Sequence, residues 1–253
     1  MPPILNDYFV AQTFLSRLTC PHAVDHSGDA LGRSTAFFPL VGTLIGLLAA
    51  LLLWLANSLF DPLLSATLAV MSTIVLTGAF HEDGLADTAD GIGGGFTLER
   101  KLEIMRDSRI GTYGATALLL GILLRIFALA SLPASLAPAA LILAHTVARF
   151  SSLPLIYFNT YVREQGTGKP FAAKVTPLRM AAAGAWCLLI WLVLPGMLWP
   201  ALIAALLSTL AAQAYFRRKL GGITGDTLGA ANQAVELSVY LVLAALSGAV
   251  LTA

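Results

Sequence analysis

Four carboxylate side chains fall within nine residues of one stretch of the chain, residues 81–95. They are Glu82, Asp83, Asp87 and Asp90, in a chain that has only 14 acidic residues. On a helix, Asp83, Asp87 and Asp90 are spaced i, i+4 and i+7 and share one face, from which Glu82 points away. Like charges on one face repel unless a cation joins them, and Mg²⁺ binds carboxylates together with water and phosphate oxygens. The spacing therefore predicts a magnesium site.

The alternative interpretation is a solvated acidic helix end, which is the usual meaning of a run of charges. The small residues between the carboxylates (Gly84, Ala86, Ala89 and Gly91) argue against it, because a solvated helix rarely leaves its backbone so bare. We therefore prefer the metal site. His81, which opens the stretch, is a further candidate catalytic residue.

The composition is that of an all-α, polytopic membrane protein. Hydrophobic residues make up 57% of the chain and charged residues 11%, whereas soluble chains carry about a quarter charged residues. The net charge of +1 gives no reason to expect a nucleic-acid partner. Cys20 and Cys187 lie far apart and have no spacing typical of a metal site or a disulfide. No removable signal peptide is expected at the N-terminus.

About seven apolar segments of the chain are candidates for crossing a bilayer, which needs ~20 residues. They cover roughly 37–59, 63–80, 112–131, the segment from the proline-containing break at 133–138 to 158, 180–195, 199–215 and 232–252. A short polar helix over 4–18 precedes them, at the membrane interface or against a partner, followed by a polar link within 1–34. Gly42 and Gly46 form a small-residue packing stripe on the first span. The whole chain, 1–253, is predicted to be one transmembrane domain.

The loop charges predict the orientation in the membrane. All but two of the 15 Lys and Arg residues lie in the N-terminal segment or in the polar segments 96–111, 159–179 and 216–231. The connections near 61, 133 and 197 carry none. The positive-inside rule therefore places the polar segments and the acidic stretch in the cytoplasm and the C-terminus outside. We expect a multi-pass protein of the cell (inner) membrane.

Two arginines, Arg106 and Arg109, precede a span in a segment that also carries glycines. Arginine forks match phosphate oxygens, and a helix N-terminus adds backbone donors, so both are candidate substrate-binding residues. The alternative is an ordinary basic flank of a span. Arg163 lies in a polar, glycine-bearing loop, which is one way to close over a substrate; taken alone, the segment indicates only a loop.

A lone aspartate, Asp226, stands in a segment rich in glycine and threonine before the last span. It is a candidate for catalysis, and a plain helix cap is the alternative. The neighbouring Thr224, Asn232 and Glu236, close to the membrane surface, favour a substrate-binding site.

Two charged residues lie within spans. Arg149 is about 13 Å from the cytoplasmic end of its helix at 1.5 Å per residue, so we expect it to face the interior and meet a carboxylate or phosphate. Arg125 is nearer the outer end, where a long side chain can reach the membrane surface. His145 is expected to be packed or hydrogen-bonded.

Together these motifs resemble the cobalamin synthase family, the adenosylcobinamide-GDP ribazoletransferases, over nearly the whole chain. The matching segments are FLSRL at 14–18, FPLVG at 38–42, FHEDGLADTADG at 80–91, MRDSRIGTYG at 105–114, RE at 163–164 and GGITGDTLGAA at 221–231. The acidic and Gly-Asp-Thr motifs are long and unusual, which makes the resemblance specific.

The resemblance implies the last assembly step of the cobalamin nucleotide loop. The hydroxyl of α-ribazole, or of its 5′-phosphate, attacks the cobinamide-side phosphorus of adenosylcobinamide-GDP. GMP leaves, a phosphodiester forms, and Mg²⁺ is required. A homo-oligomer is left open.

The residues of this chain fit that reaction, because phosphoryl transfer depends on positioning and charge neutralisation. Metal held by Asp83, Asp87 and Asp90 would grip the diphosphate, and a metal-free Asp90 or Asp226 would accept the hydroxyl proton. The candidate substrate-binding residues are Arg106, Arg109, Arg149, Arg163, Thr224, Asn232 and Glu236.

Two other functions compete with this one. The CDP-alcohol phosphotransferases also carry an acidic Asp-Gly motif, but theirs continues with Ala-Arg, whereas Asp83-Gly84 is followed here by Leu85-Ala86-Asp87. A cation-coupled transporter usually places its acidic residues at the bilayer midplane, on broken helices. The carboxylates here are predicted at a cytoplasmic helix end, which disfavours transport.

Overall fold

The computed structural model describes residues 1–20, 23–166, 168–171, 174–194 and 198–251. Within these ranges the chain is helical, with one isolated parallel bridge between Tyr161 and Ile223 and no β-strand. The all-α prediction is confirmed. The predicted connection near 197 lies outside the described residues.

Eleven α-helices are seen in the described residues. They are α1 (Pro3–Leu15), α2 (Gly28–Ser34), α3 (Phe38–Ala56), α4 (Pro62–Thr77), α5 (Phe80–Gly94), α6 (Leu98–Ile104), α7 (Thr112–Ala130), α8 (Ala137–Phe158), α9 (Pro177–Val193), α10 (Trp199–Leu220) and α11 (Gly225–Leu251). Five helical stretches are long and apolar enough to cross a membrane, and α4 with α5 makes a sixth if that bent pair is one span. The seven predicted spans fall on α3, α4 and α7 to α11, of which α4 and α9 have only 16 and 17 residues.

The predicted loop at 216–231 is wrong, because most of it is helix. Helix α10 continues to Leu220 and α11 begins at Gly225, so only four residues connect them. Arg217, Arg218 and Lys219 form the last turn of α10, where cations interact favourably with the helix dipole. Basic residues were therefore a poor sign of irregular backbone here.

Helices α3 and α8 approach closely at the small residues of α3. A Cβ added to Gly42 would lie 2.2 Å from the carbonyl oxygen of His145, and one added to Gly46 would lie 2.7 Å from Ile142 Cα. Only glycine fits at either place. The predicted packing stripe is confirmed.

A sharp bend of 88° separates α4 from α5. Gly78 and Ala79, with φ of 66° and 58°, are both in the left-handed region, where a non-glycine residue such as Ala79 is uncommon. Gly78 caps α4 as a left-handed residue commonly does. The bend directs α5, which carries the acidic stretch, against α7 and α11.

The N-terminal helix α1 buries polar side chains against the protein. Asn6 exchanges two hydrogen bonds with the backbone of Asp25, at 3.0 and 2.8 Å. Asp7 pairs with Arg33 of α2 at 2.7 Å. A short helix before the first span is therefore confirmed, and it is fixed to the following segment by polar contacts.

Candidate active site

The acidic helix α5 packs directly on the beginning of α11. A Cβ added to Gly84 would lie 2.7 Å from the carbonyl oxygen of Asp226, and one added to Gly229 would lie 3.3 Å from that of His81. The absence of side chains at these two glycines allows the backbones to meet. Asp226 is thereby brought beside the acidic motif, although it lies far away in sequence.

Four charged side chains form what we call the open cluster: Asp83, Asp87, Asp226 and Arg163. Asp83 is exposed and Asp87 half-buried. The charges of Asp83, Asp226, Arg163 and Asp90 act on Asp87. Arg163 Nη2 lies 2.6 Å from Asp226 Oδ2. Three carboxylates thus face one guanidinium, which leaves the open cluster with excess negative charge.

The open cluster fits Mg²⁺ by the chemistry of its donors. No three Asp, Glu, His or Cys side chains converge at metal-ligand spacing in the part of the chain that the structure describes. Magnesium does not need such a cage, since it is commonly held by one or two carboxylates, waters and substrate phosphate. Asp83 and Asp87, one turn apart, are the two carboxylates that would hold such an ion.

Asp90 has a different environment from the other two carboxylates of the predicted metal face. Its Oδ2 accepts a hydrogen bond from the backbone N–H of Gly111 at 2.7 Å, and its Oδ1 accepts one from Gly114 at 2.8 Å. Both are donors at the beginning of α7, where a negative charge is favourable. Asp90 thus caps α7 with both of its oxygens, while its charge also acts on Asp87.

The loop before Arg163 is fixed to the turn before α11. Val162 N–H donates to Ile223 at 2.9 Å, Ile223 N–H donates to Thr160 at 2.9 Å, and Gly225 N–H donates to the Tyr161 hydroxyl at 3.1 Å. Burial raises the pKa of Tyr161, so its hydroxyl stays neutral. Sequence reasoning missed Tyr161, whose only signal was an aromatic residue two positions before Arg163.

Thr224 and Asn232, both predicted to bind substrate, are buried. Thr224 N–H donates to Thr227 Oγ1 at 2.8 Å, and Thr227 N–H donates to Thr224 Oγ1 at 3.2 Å, a reciprocal cap at the start of α11. Asn232 is 1% exposed, and its amide has no hydrogen-bond partner among the described residues. Thr224 therefore orders the helix that carries Asp226.

A second charged group, the closed cluster, lies inside the helix bundle: Glu82, Arg125, His145, Arg149 and Glu236. Arg125 reaches Glu82 at 3.0 Å and Glu236 at 3.3 Å. Glu236 also contacts His145 at 3.0 Å and accepts a hydrogen bond from Arg149. These side chains are at most 5% exposed, and the two arginines balance the two glutamates.

The contacts of the closed cluster show the outcome of the predictions made for the charged residues and the histidine within spans. Arg125 does not reach the membrane surface as expected, because two carboxylates hold it in the interior. Arg149 meets a carboxylate, as predicted, and His145 is hydrogen-bonded. Arg149 and Glu236, both expected to bind substrate, are paired with each other.

Of the remaining candidates, His81 is buried, whereas Arg106 and Arg109 are exposed. His81 is 4% exposed and borders a cavity of about 30 Å³ together with phenylalanine rings. Arg106 is exposed, and the exposed Arg109 contacts Asp107 at 2.6 Å. Hydrogen bonds from Arg109 lower the pKa of Asp107 to about 2.

Comparison with known proteins identifies a single enzyme class. The family model described as cobalamin-5-phosphate synthase matches residues 7–244. A protein of Shewanella amazonensis named adenosylcobinamide-GDP ribazoletransferase is 43% identical, over 94% of this chain and 95% of the relative. Proteins with that name from Shewanella frigidimarina and Shewanella oneidensis are each 42% identical, over 95% of this chain and 95% and 94% of their own lengths. No solved structure matches the chain.

Proposed function

Since the chain belongs to the adenosylcobinamide-GDP ribazoletransferase family, we propose that it joins adenosylcobinamide-GDP to α-ribazole, or to its 5′-phosphate, with release of GMP. The reaction is the final assembly step of the cobalamin nucleotide loop. Membership of this family sets aside the CDP-alcohol phosphotransferase and the transporter as functions for this chain.

The observation that carries the mechanism is the excess negative charge of the open cluster. Asp83 and Asp87 would hold Mg²⁺, which would supply positive charge to the diphosphate of the donor and to the leaving GMP. Asp83 is exposed and Asp87 is half-buried, which leaves room for phosphate oxygens and water beside the ion. Binding of a cation is a reason to keep like charges close together on one helix face.

Asp226 is the carboxylate that accepts the proton of the attacking hydroxyl. Asp90 was the other candidate, but both of its oxygens already accept backbone hydrogen bonds from α7. Asp226 is held beside Asp87 by the contact between Gly84 and the backbone of α11. The hydroxyl oxygen then forms the new bond to the cobinamide-side phosphorus as the bond to GMP breaks.

Arginines bind the phosphate groups. Arg163 lies within the open cluster, and Arg106 is exposed at the end of α6, in the segment that leads to α7. Guanidinium forks offer two parallel donors to phosphate oxygens. We assign Arg163 to the donor diphosphate because its charge acts on Asp87 and it contacts Asp226 at 2.6 Å.

Besides its substrates, the chain has the lipid bilayer as a partner. The open cluster faces the cytoplasm. In support, the contact of α5 with α11 and the hydrogen bonds of residues 160 and 162 to Ile223 bring the acidic stretch together with the polar segments 159–179 and 216–231. After Cys20 and Cys187 are replaced, single cysteines at Asp61 and Lys169 should be labelled from opposite sides of the membrane. Labelling from the same side would contradict this orientation.

The direct test of the function is GMP release by the purified protein in detergent. The reaction contains adenosylcobinamide-GDP, α-ribazole and Mg²⁺, with and without a chelator. We expect release that depends on both substrates and stops on chelation. Chelator-resistant release would refute the metal mechanism, and no release at all would refute the assignment.

A further inference from the structure

We propose that Arg163 changes partner during the reaction. In the unloaded protein it neutralises Asp226, and in the loaded enzyme it binds the donor diphosphate and leaves Asp226 free to accept a proton. This inference rests on the proposed function, since it takes the metal–diphosphate site at Asp83 and Asp87 as given.

Arg163 is buried, although some of its hydrogen-bond donors have no partner among the described residues. Its side chain is 8% exposed, and its Nε and Nη2 have no hydrogen-bond partner among the described residues. Nη2 nevertheless lies 2.6 Å from Asp226 Oδ2, an oxygen that also lacks a well-directed hydrogen bond. The two side chains are therefore held by charge, while donors of the guanidinium remain unused. Buried donors without partners are costly, so a ligand that satisfies them binds favourably.

The charges of the open cluster determine when the exchange takes place. Without a cation, the carboxylates of Asp87 and Asp226 attract the guanidinium of Arg163. A divalent cation at Asp83 and Asp87 cancels part of that attraction, and the diphosphate that arrives with it offers two or more anionic oxygens. Both changes favour movement of Arg163 from Asp226 to the phosphate.

The exchange requires only side-chain rotation, because the backbone beside Arg163 is fixed. Thr160 and Val162 are hydrogen-bonded to Ile223, next to the start of the helix that carries Asp226. The two charged side chains thus stay within reach of the same site in either arrangement. The exchange therefore sets the sequence of events: Asp226 becomes available as a base once the donor is bound.

GDP binding in the presence of Mg²⁺ tests the exchange without any turnover. Isothermal titration of the purified full-length protein gives the affinity for GDP, the diphosphate part of the donor. In Arg163→Gln we expect about tenfold weaker binding, the loss of one charge-assisted contact. In Asp226→Asn we expect binding several-fold tighter than in the wild type, because Arg163 no longer has to leave a carboxylate. Arg100→Gln, which breaks the exposed pair with Glu103, is the matched control and should bind GDP normally.

Opposite changes in GDP affinity for the Arg163 and Asp226 variants distinguish this exchange from a purely structural ion pair. If Asp226→Asn, and Asp226→Ser as a second variant, bind GDP no more tightly than the wild type, the exchange is overturned. Asp87→Asn reports on the proposed function itself: GDP affinity that ignores both Mg²⁺ and this substitution would show that the metal–diphosphate site is wrong. GDP affinity that depends on Asp87, with opposite changes in the Arg163 and Asp226 variants, supports both.

Discussion

The two charged clusters of this protein use the same residue types for different ends. The open cluster sets three carboxylates against one arginine, and Asp83 is exposed to solvent. The closed cluster sets two glutamates against two arginines and a histidine, with each of these side chains at most 5% exposed. Charge balance and access therefore distinguish the clusters better than composition does.

Glu82 and Asp83 show how sharply a helix separates the two environments. They are adjacent in sequence but point about 100° apart on α5. Glu82 turns into the bundle and pairs with Arg125, while Asp83 stays accessible in the open cluster. A buried charge in a membrane protein must be paired, whereas unbalanced accessible charge is suited to binding a cation.

The largest effect on activity is expected from Asp87→Asn. It keeps the size of the side chain but removes a proposed metal ligand, so turnover should fall on the order of 10³-fold and the Mg²⁺ needed for half-maximal rate should rise. The metal-free protein should be as stable as before or slightly more so, because like-charge repulsion is relieved. GMP release and thermal unfolding measure the two quantities. An unchanged Mg²⁺ requirement would remove Asp87 from the site.

The largest effect on stability is expected from Glu236→Gln. The substitution leaves Arg149 and Arg125 buried with too little negative charge, which typically lowers the free energy of unfolding by about 3–5 kcal/mol. Chemical denaturation in detergent measures the loss, with Asp83→Asn as the comparison from the open cluster. If Glu236→Gln were as stable as the wild type, the closed cluster would not hold the bundle together.

A smaller loss of stability is expected from Glu82→Gln, because Arg125 retains Glu236 as a partner. We expect the free energy of unfolding to fall by about 1–3 kcal/mol, as for one lost buried hydrogen bond to a charge. The Mg²⁺ requirement of the remaining activity should be unchanged. A large shift in that requirement would place Glu82 in the open cluster after all.

The smallest effect is expected from Arg109→Gln, since Arg109 and Asp107 form an exposed pair. The pKa of Asp107 is lowered to about 2, so the pair is intact above the ordinary aspartate pKa and is lost only as the pH falls through about 2. Unfolding at neutral pH should therefore be unaffected, and KM for either substrate should change no more than a few-fold. A loss of turnover comparable to that of Asp87→Asn would show that Arg109 contacts the reacting groups.

The local parts of this structure were predictable from sequence. Apolar runs gave the helices, the spacing of Asp83 and Asp87 gave a shared face, and Gly42 with Gly46 gave a close helix contact. Each of these depends on residues a few positions apart, for which helix periodicity suffices. The motif resemblance then supplied the reaction, which periodicity cannot give.

Contacts between side chains that lie far apart in sequence were not predictable in the same way. Asp90 caps α7 from 21 and 24 residues away, and Arg125 pairs with side chains 43 and 111 residues away. Which of several carboxylates meets which cation depends on how the helices pack. The sequence analysis singled out these charged residues, but it could not sort them into the open and closed clusters.

We propose that Mg²⁺ binds the open cluster and not the closed one. Thermal stabilisation of the protein by Mg²⁺ tests this proposal most directly. A ligand that binds only the folded state raises the unfolding temperature as its concentration exceeds its Kd. Without any substrate, Mg²⁺ should raise the unfolding temperature of the wild type and of Glu82→Gln by similar amounts, and should leave that of Asp87→Asn almost unchanged. A full Mg²⁺ shift in Asp87→Asn, or its loss in Glu82→Gln, would contradict the account.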